Sequence, residues 1–443
     1  MKNIVIIGNG IAGITAARHI RKQSNDAITV ISEESKHFFS RTALMYIYMG
    51  HMRYEDTKPY EDWFWEKNKI DLLMARVEAV DFKNKKLTLS DTSNLEYDVL
   101  IIATGSKPRK IQVEGEELKG VQGLYSLQHL QSLEKLSDRI HHGVVIGGGL
   151  IGIELAEMLH SRGKQVTMLV REPHFWSGVL PKEEGAIVHK QIVENKVKIE
   201  YEEEVQAFHG DRYIDKVITK TGKEIPCDFA GVSIGVIPNI DFLRDTELET
   251  DRGVLVDDYL STNQQDVYAI GDCAQLRKPL LHRKAMEQVW YTGRMMGETL
   301  ANTVCGNKTP YKPGVWFNSA KFFDVEYQTY GFVPNRYDAE DAPATFYWET
   351  PDQYKCVRLV FDKQKGDLLG VNTFGIRMRH EVVDRWIREK KSVDEVMTEM
   401  RDANFDPEFY KKHEQEILHT YNRQFNKDLR LKKKSWKRIL IGK

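Results

Sequence analysis

The chain has 443 residues, too many for one ordinary core, so two or three domains are expected. Its 64 basic and 65 acidic side chains nearly cancel, which argues against a nucleic-acid partner. No apolar run reaches the length of a membrane span, and Lys2 leads straight into a strand without a signal-peptide pattern, so a cytoplasmic protein is expected.

Residues 4–7 (Ile-Val-Ile-Ile) read as a buried parallel strand. Gly8, Gly10 and Gly13 follow in G-x-G-x-x-G spacing and run into a helical pattern that ends near Gln23. That order suits a dinucleotide. The first glycine allows a tight turn, the second lets the backbone approach a pyrophosphate, and the third lets helix pack on strand. The helix N-terminus then offers unpaired N–H groups to the phosphates. Residues 27–31 form the second strand of the unit. Glu33 and Glu34, just beyond it, are placed to accept hydrogen bonds from ribose hydroxyls, with Glu33 favoured. Arg41 stands in the aromatic-rich stretch 37–50, where its planar fork of donors could neutralise a pyrophosphate. Residues 76–82 and 86–89 alternate like antiparallel strands. Residues 97–109 hold another buried strand that ends in Ala103, Thr104 and Gly105, small residues that let a ligand come close to the backbone.

Residues 143–156 repeat the opening pattern, with Gly147, Gly149 and Gly152 in the same spacing. Two such loops, each framed by strand and helix, imply two nucleotide-binding domains in one chain. At the end of the matching second strand, 165–170, stands Arg171 rather than an acid. An arginine there tilts the preference towards the 2′-phosphate of NADPH, and the adjacent Glu172 blunts it, so NADH and NADPH both stay open. Residues 227–239, containing Gly235 and ending Gly-Val-Ile-Pro-Asn, echo the Ala-Thr-Gly strand. A strand over 266–270 ends in Gly271 and Asp272, whose carboxylate is placed for a polyol chain. A helix is expected over 283–301, with Glu287 and Gln288 near an N-terminus able to face a ring carbonyl. Strands over 317–333 and 354–361 and helices over 380–401 follow. The last stretch, 427–443, carries eight cations around Trp436, Ile439, Leu440 and Ile441. It reads as a solubilising tail, a docking strip for an acidic partner, or an anchor on an anionic membrane surface. Cys227, Cys273, Cys305 and Cys356 lack metal-ligand spacing, so packed, reduced thiols and no metal site are expected.

The ordered set of glycine loop, Ala-Thr-Gly strand, second glycine loop, Gly-Val-Ile-Pro-Asn, Gly-Asp and small C-terminal portion resembles the FAD-dependent pyridine nucleotide oxidoreductases. Within them it is most similar to the ferredoxin and rubredoxin reductases and the flavin portion of assimilatory nitrite reductases. The resemblance implies an α/β fold, with two Rossmann-like three-layer domains for FAD (1–115 and 245–315) and NAD(P) (116–244), and a small α+β interface domain (316–443). It implies FAD contacts from Gly8, Gly10, Ile11, Ala12, Gly13, Glu33 or Glu34, Arg41, Ala103, Thr104, Gly105 and Gly271. Asp272 would meet the ribityl chain and Gln288 the flavin pyrimidine edge. Gly147, Gly149, Ile151, Gly152, Arg171 and Gly235 would serve NAD(P)H. Glu154, in the first turn of that helix, matches a glutamate near nicotinamide and flavin.

Two departures matter. No cysteine precedes Cys227, so the thiol relay of disulfide reductases is excluded unless another chain supplies the cysteine. The place where ferredoxin reductases often carry a lysine near the flavin N5 is held by Tyr46. The implied activity is hydride transfer from NAD(P)H to FAD, followed by one-electron steps to an iron–sulfur or similar carrier. A homodimer is compatible with it. Two other readings are a quinone reductase at the inner face of the membrane, similar to type II NADH dehydrogenases, and a flavin-bearing redox sensor similar to apoptosis-inducing factors.

Overall fold

The computed structural model describes residues 1–405 and 411–433. The chain divides into two compact units, Met1–Leu169 with Glu203–Pro313, and Val170–Glu202 with Gly314–Lys443. It opens with β1 (Asn3–Ile7), α1 (Ile11–Gln23), β2 (Ala27–Ser32), α2 (Leu44–Tyr48), α3 (Trp63–Lys67) and β3 (Ile70–Met74). A small antiparallel sheet of β4 (Val77–Asp81), β5 (Lys86–Leu89) and β6 (Asn94–Glu96) comes next, then β7 (Val99–Ile102) and β8 (Ser106–Pro108). There follow β9 (Val121–Gln122), α4 (Leu127–Leu136), β10 (His142–Ile146), α5 (Leu150–Ser161) and β11 (Gln165–Val170). After α6 (Lys182–Glu194) and β12 (Lys198–Tyr201), which belong to the second unit, come β13 (Val205–Gly210), β14 (Ile214–Thr219), β15 (Glu224–Pro226), β16 (Phe229–Val232) and β17 (Val236–Pro238). The first unit closes with β18 (Val254–Val256), β19 (Val267–Ala269), β20 (Ala274–Leu276) and α7 (Trp290–Val304).

Its main sheet is parallel, in the order β19-β7-β1-β2-β3. The central strands are continuous apolar runs because both faces are covered: every residue of β7 is buried, and so are four of the five in β1. On one face α7 lies against α1 at close range, since a Cβ on Gly297 would fall 2.6 Å from the Ala12 carbonyl oxygen. A second parallel set runs β11-β10-β16-β9. The antiparallel pair β8 and β17 joins the two sheets, with Arg109 N–H on Gly235 O and Asn239 N–H on Gly105 O, each at 3.0 Å.

The second unit holds an antiparallel sheet, β21 (Phe317–Phe322), β22 (Val325–Gly331), β23 (Ala344–Glu349), β24 (Cys356–Phe361) and β25 (Leu368–Phe374), in the order β21-β22-β25-β24-β23. Helices α8 (His380–Arg388), α9 (Val393–Ala403) and α10 (Glu414–Phe425) bury Trp386 and Tyr421 in the same apolar core as Phe346 and Val371 of that sheet. The strand expected over 317–333 is thus a hairpin, turned at Phe323 with φ +49°.

The helix expected from residue 283 starts only at Trp290. Val289 caps it in extended backbone, and the approach is held instead by the Arg283–Glu287 ion pair. Among the described residues no helix is long and apolar enough to cross a membrane. The start of the basic C-terminal stretch is pinned to its own unit, with Lys427 Nζ 2.8 Å from Asp394 and Lys432 Nζ 3.0 Å from Glu399. Burial works against an ionised Glu399, yet Lys391 and Lys432 hold its pKa down to about 2. Residues 434–443, with the rest of the expected tail, lie outside the described residues.

Candidate functional site

The two glycine loops have the same construction. Gly8 N–H donates to Ile31 O at 2.8 Å, and Gly147 N–H donates to Leu169 O at 2.9 Å. Ala103 N–H reaches Ile7 O at 2.8 Å, and Ser233 N–H reaches Ile146 O at 2.8 Å. Gly8 has φ +113° and Gly147 φ +117°, so a side chain at either would be strained. A Cβ there would also strike backbone, 2.1 Å from Ala103 O or 2.4 Å from Ser233 O. The third glycines serve packing: Cβ atoms on Gly13 and Gly152 would lie 2.0 and 2.3 Å from the carbonyl oxygens of Gly8 and Gly147. Gly10 differs. Nothing lies within 4 Å of the Cβ it lacks, so its bareness opens space on the ligand side rather than inside the fold.

Helices α1 and α5 begin at Gly10 and Gly149 with no capping side chain and no acid in the first turn. By contrast, α4 and α9 are capped by Ser126 and Ser392. The first N–H groups of α1, around Ile11 and Ala12, and of α5, around Ile151, are therefore left for an external anion. Such an arrangement fits the pyrophosphate of a dinucleotide. Gly271, at φ +74°, sets the following turn against α1, where its own Cβ would come 2.9 Å from that of Ala12.

That turn presents Asp272. Ser106 Oγ donates to Asp272 Oδ2 at 3.1 Å and accepts from Gln288 Nε2 at 2.8 Å, so the three side chains form one chain. Burial raises the Asp272 pKa, partly offset by the Ser106 hydrogen bond and the Arg41 charge. Sequence reasoning missed Ser106, although it directly follows the Ala-Thr-Gly run. Arg41 forms a two-pronged ion pair with Glu34 and donates to Tyr125 O at 2.5 Å, with its guanidinium 4.8 Å from the Tyr125 ring centre. Glu34 Oε1 also accepts Leu127 N–H at 2.9 Å. Its carboxylate is committed, whereas Glu33 is exposed.

On the second loop, Glu154 is the fifth residue of α5, just past the first turn in which it was expected. Burial, reinforced by Glu157, raises its pKa to about 7. Gly235 has φ +99° with open space where a Cβ would stand. Arg171 belongs to the second unit and pairs at 3.0 Å with Glu172. Tyr46 is half-buried, with its ring stacked on His51. All four cysteines are free, three of them buried.

The model of the pyridine nucleotide-disulphide oxidoreductase family matches residues 2–290. The chain belongs to that family. It is an FAD-dependent NAD(P)H oxidoreductase. It is 28% identical over 311 residues to a rubredoxin-NAD(+) reductase of Ectopseudomonas oleovorans, covering 69% of this chain and 81% of that one. To the ferredoxin-NAD(+) reductase subunit of a Pseudomonas putida benzene 1,2-dioxygenase system it is 28% identical, covering 71% and 77%. Among solved structures, an NAD-dependent persulfide reductase from A. fulgidus superposes with a TM-score of 0.84 at 23% identity, over 96% of this chain and 84% of that one.

Proposed function

We propose that this oxidoreductase takes reducing equivalents from NADH or NADPH through FAD and passes them singly to a separate iron–sulfur carrier protein. The observation that carries this reading is a pair of congruent dinucleotide loops in a chain with no cysteine before Cys227. With no cysteine of its own where disulfide reductases carry their redox pair, this chain leaves the ring itself as the exit for electrons. The rubredoxin and ferredoxin reductases among its relatives support a carrier of that kind.

FAD, when bound, supplies a ring that accepts a hydride and releases electrons one at a time. In this reading the chain's residues bind and orient. The backbone from Gly8 to Gly13 receives the pyrophosphate, and Glu33 the ribose hydroxyls. Ala103, Thr104 and Gly105 line the approach, with Arg41 adding positive charge. Asp272, oriented by Ser106, holds the polyol chain, and Gln288 faces the pyrimidine edge. The backbone from Gly147 to Gly152 receives the nicotinamide dinucleotide, with Ile151 and Gly235 as further contacts. Glu154, half-protonated near neutrality, can hold or release a proton there, and Tyr46 lies on the flavin side. We accordingly assign FAD to residues 1–115 and 245–315, NAD(P)H to 116–244, and interface duties to 316–443. The free cysteines suit a reducing, cytoplasmic compartment.

For the carrier, the exposed Leu280 and Leu281, bracketed by Lys278 and Lys284 shortly before Gln288, offer an apolar tip with a basic rim. Anaerobic mixing of the flavin-loaded protein with NADH and with NADPH tests the reading. Bleaching of the flavin by at least one nucleotide at a rate matching turnover is expected, and no bleaching by either sinks it.

A further inference from the structure

Residues 41–48 run from Arg41 through Tyr46 to Tyr48, and α4 ties them down at both ends. At the start of α4, Leu127 N–H donates to the Glu34 carboxylate and the Gln128 side-chain amide to the Glu34 backbone carbonyl, at 2.9 Å each, and the same carboxylate grips Arg41. Just past its other end, Ser137 Oγ hydrogen-bonds the Tyr48 hydroxyl at 2.8 Å. A third helix joins here through Arg162, the residue that caps α5. Its Nε donates to Tyr48 O at 2.7 Å, and its two terminal nitrogens reach the Glu134 carboxylate of α4 at 2.8 and 2.6 Å. Nη1 also lies 3.3 Å from Ser137 Oγ, and the guanidinium carbon sits 3.7 Å from the Tyr48 ring centre.

We propose that Arg162 is a positioning residue for hydride transfer, and that α4 is the splint through which it works. The inference rests on the assignment of the two loops made above. The segment 41–48 is then the flavin-side wall, and α5, which carries Glu154, is the nicotinamide-side helix. One guanidinium spends its fork on α4 and its Nε on the last carbonyl of α2, so it sets the spacing between wall and helix. Lysine cannot reproduce this, because its single ammonium has no planar fork. Hydride transfer falls off steeply when donor and acceptor drift by a fraction of an ångström. The Arg162 and Glu134 side chains are 31% and 36% exposed, and an ion pair that open contributes little to stability. A purely structural role, through the Tyr48 carbonyl and ring as well as the ion pair, would lower the thermal midpoint and leave the chemical step unchanged, whereas a positioning residue slows the chemical step in a protein that stays folded.

The test uses the full chain with FAD bound, as wild type, Arg162→Met, Arg162→Lys and Tyr48→Phe. Flavin content and thermal midpoint report folding. Rapid mixing gives nucleotide affinity, the limiting rate of flavin reduction, its isotope effect with deuterated nucleotide, and the long-wavelength charge-transfer absorbance. Both Arg162 variants should keep flavin and bind nucleotide within about twofold, yet be reduced about tenfold more slowly with a weakened charge-transfer band. Tyr48→Phe keeps the ring and the carbonyl and should lose about threefold in rate; it carries the test if the arginine variants misfold. Wild-type rates and an unchanged band in the variants overturn the proposal, as does full rescue by lysine. If the wild type itself is not reduced by either nucleotide, the loop assignment falls first and this inference with it.

Discussion

Gly8 and Gly10 are two residues apart and look alike in sequence, yet their surroundings predict opposite failures. Gly8→Ala forces a Cβ against the Ala103 carbonyl at φ +113°, so the chain itself should suffer, by about 2 kcal/mol or more. Gly10→Ala meets no protein atom within 4 Å. That variant should fold with a wild-type thermal midpoint in the absence of flavin and yet bind much less FAD, measured as visible absorbance per chain. Normal flavin content in Gly10→Ala would remove this loop from the cofactor site. The spacing of the glycines was legible in the sequence; which of them serves the fold and which the ligand was not, because that depends on a carbonyl some 95 positions away at Ala103. The commitment of Glu34 to Arg41 and Leu127, and the place of Ser106 between Asp272 and Gln288, were opaque for the same reason, since those partners come together only in space. Glu154 allows a prediction with a sign. Its pKa rises from 4.5 to about 7 through burial and then Glu157, so its contribution to stability is fully present below about 4.5 and lost as the pH climbs through about 7. Glu154→Gln removes that loss. Without nucleotide, the variant should be more stable than wild type near pH 8, by up to about 3 kcal/mol, and lose its advantage near pH 4. Thermal melts at the two pH values check it, and equal differences at both would show that the Glu154 pKa is not raised.

At the scale of elements, apolar runs and small residues at strand ends fixed most of the parallel strands, because a strand covered on both faces has little freedom in composition. Short elements governed by distant partners were harder to see. Helix α4 went unread, although Ser126 caps it with a hydrogen bond to the His129 N–H. The late start of α7 follows from Arg283 and Glu287, whose spacing suits a helix but whose side chains pair in the approach to it. The least legible contact is in the second unit, where Arg358 of β24 and Glu184 of α6 are 2% and 0% exposed. Arg358 Nε and Nη2 lie 2.6 and 3.0 Å from the Glu184 carboxylate, and Nη2 is also 3.0 Å from Glu183. Arg358→Met alone strands a buried carboxylate and should cost about 3–5 kcal/mol, whereas the Arg358→Met, Glu184→Met double variant should recover most of that. Denaturant midpoints of the single and double variants decide it. A double variant no better than the single would mean that the pair is worth more than the apolar contacts replacing it.

For the whole molecule, the repeat of one glycine loop within the chain was the most legible fact, since it needs no long-range partner to be noticed. What the repeat serves was legible as well: two dinucleotides and no thiol leave a relay between a nucleotide and something outside the protein. The destination of the electrons is written on the surface, where sequence patterns are weakest. The basic C-terminal stretch had a docking strip as one of its three readings, and among its described cations Lys427 and Lys432 are held by Asp394 and Glu399 and are poor candidates for it. The approach to α7 is better suited. Leu281 is 84% exposed and Leu280 49%, a small apolar tip free to meet a partner, and Lys278 and Lys284 flank them. If an acidic carrier docks there, Lys278→Glu with Lys284→Glu should raise its KM by about tenfold and flatten the salt dependence of turnover, because rim charges act mainly through encounter. The same variant should leave flavin reduction by the nicotinamide nucleotide untouched, since neither lysine is assigned to either loop. Steady-state assays with a purified iron–sulfur protein across a salt series, run beside anaerobic reduction of the flavin alone, separate the two steps. A KM and salt slope equal to those of wild type would place the docking face elsewhere on the molecule.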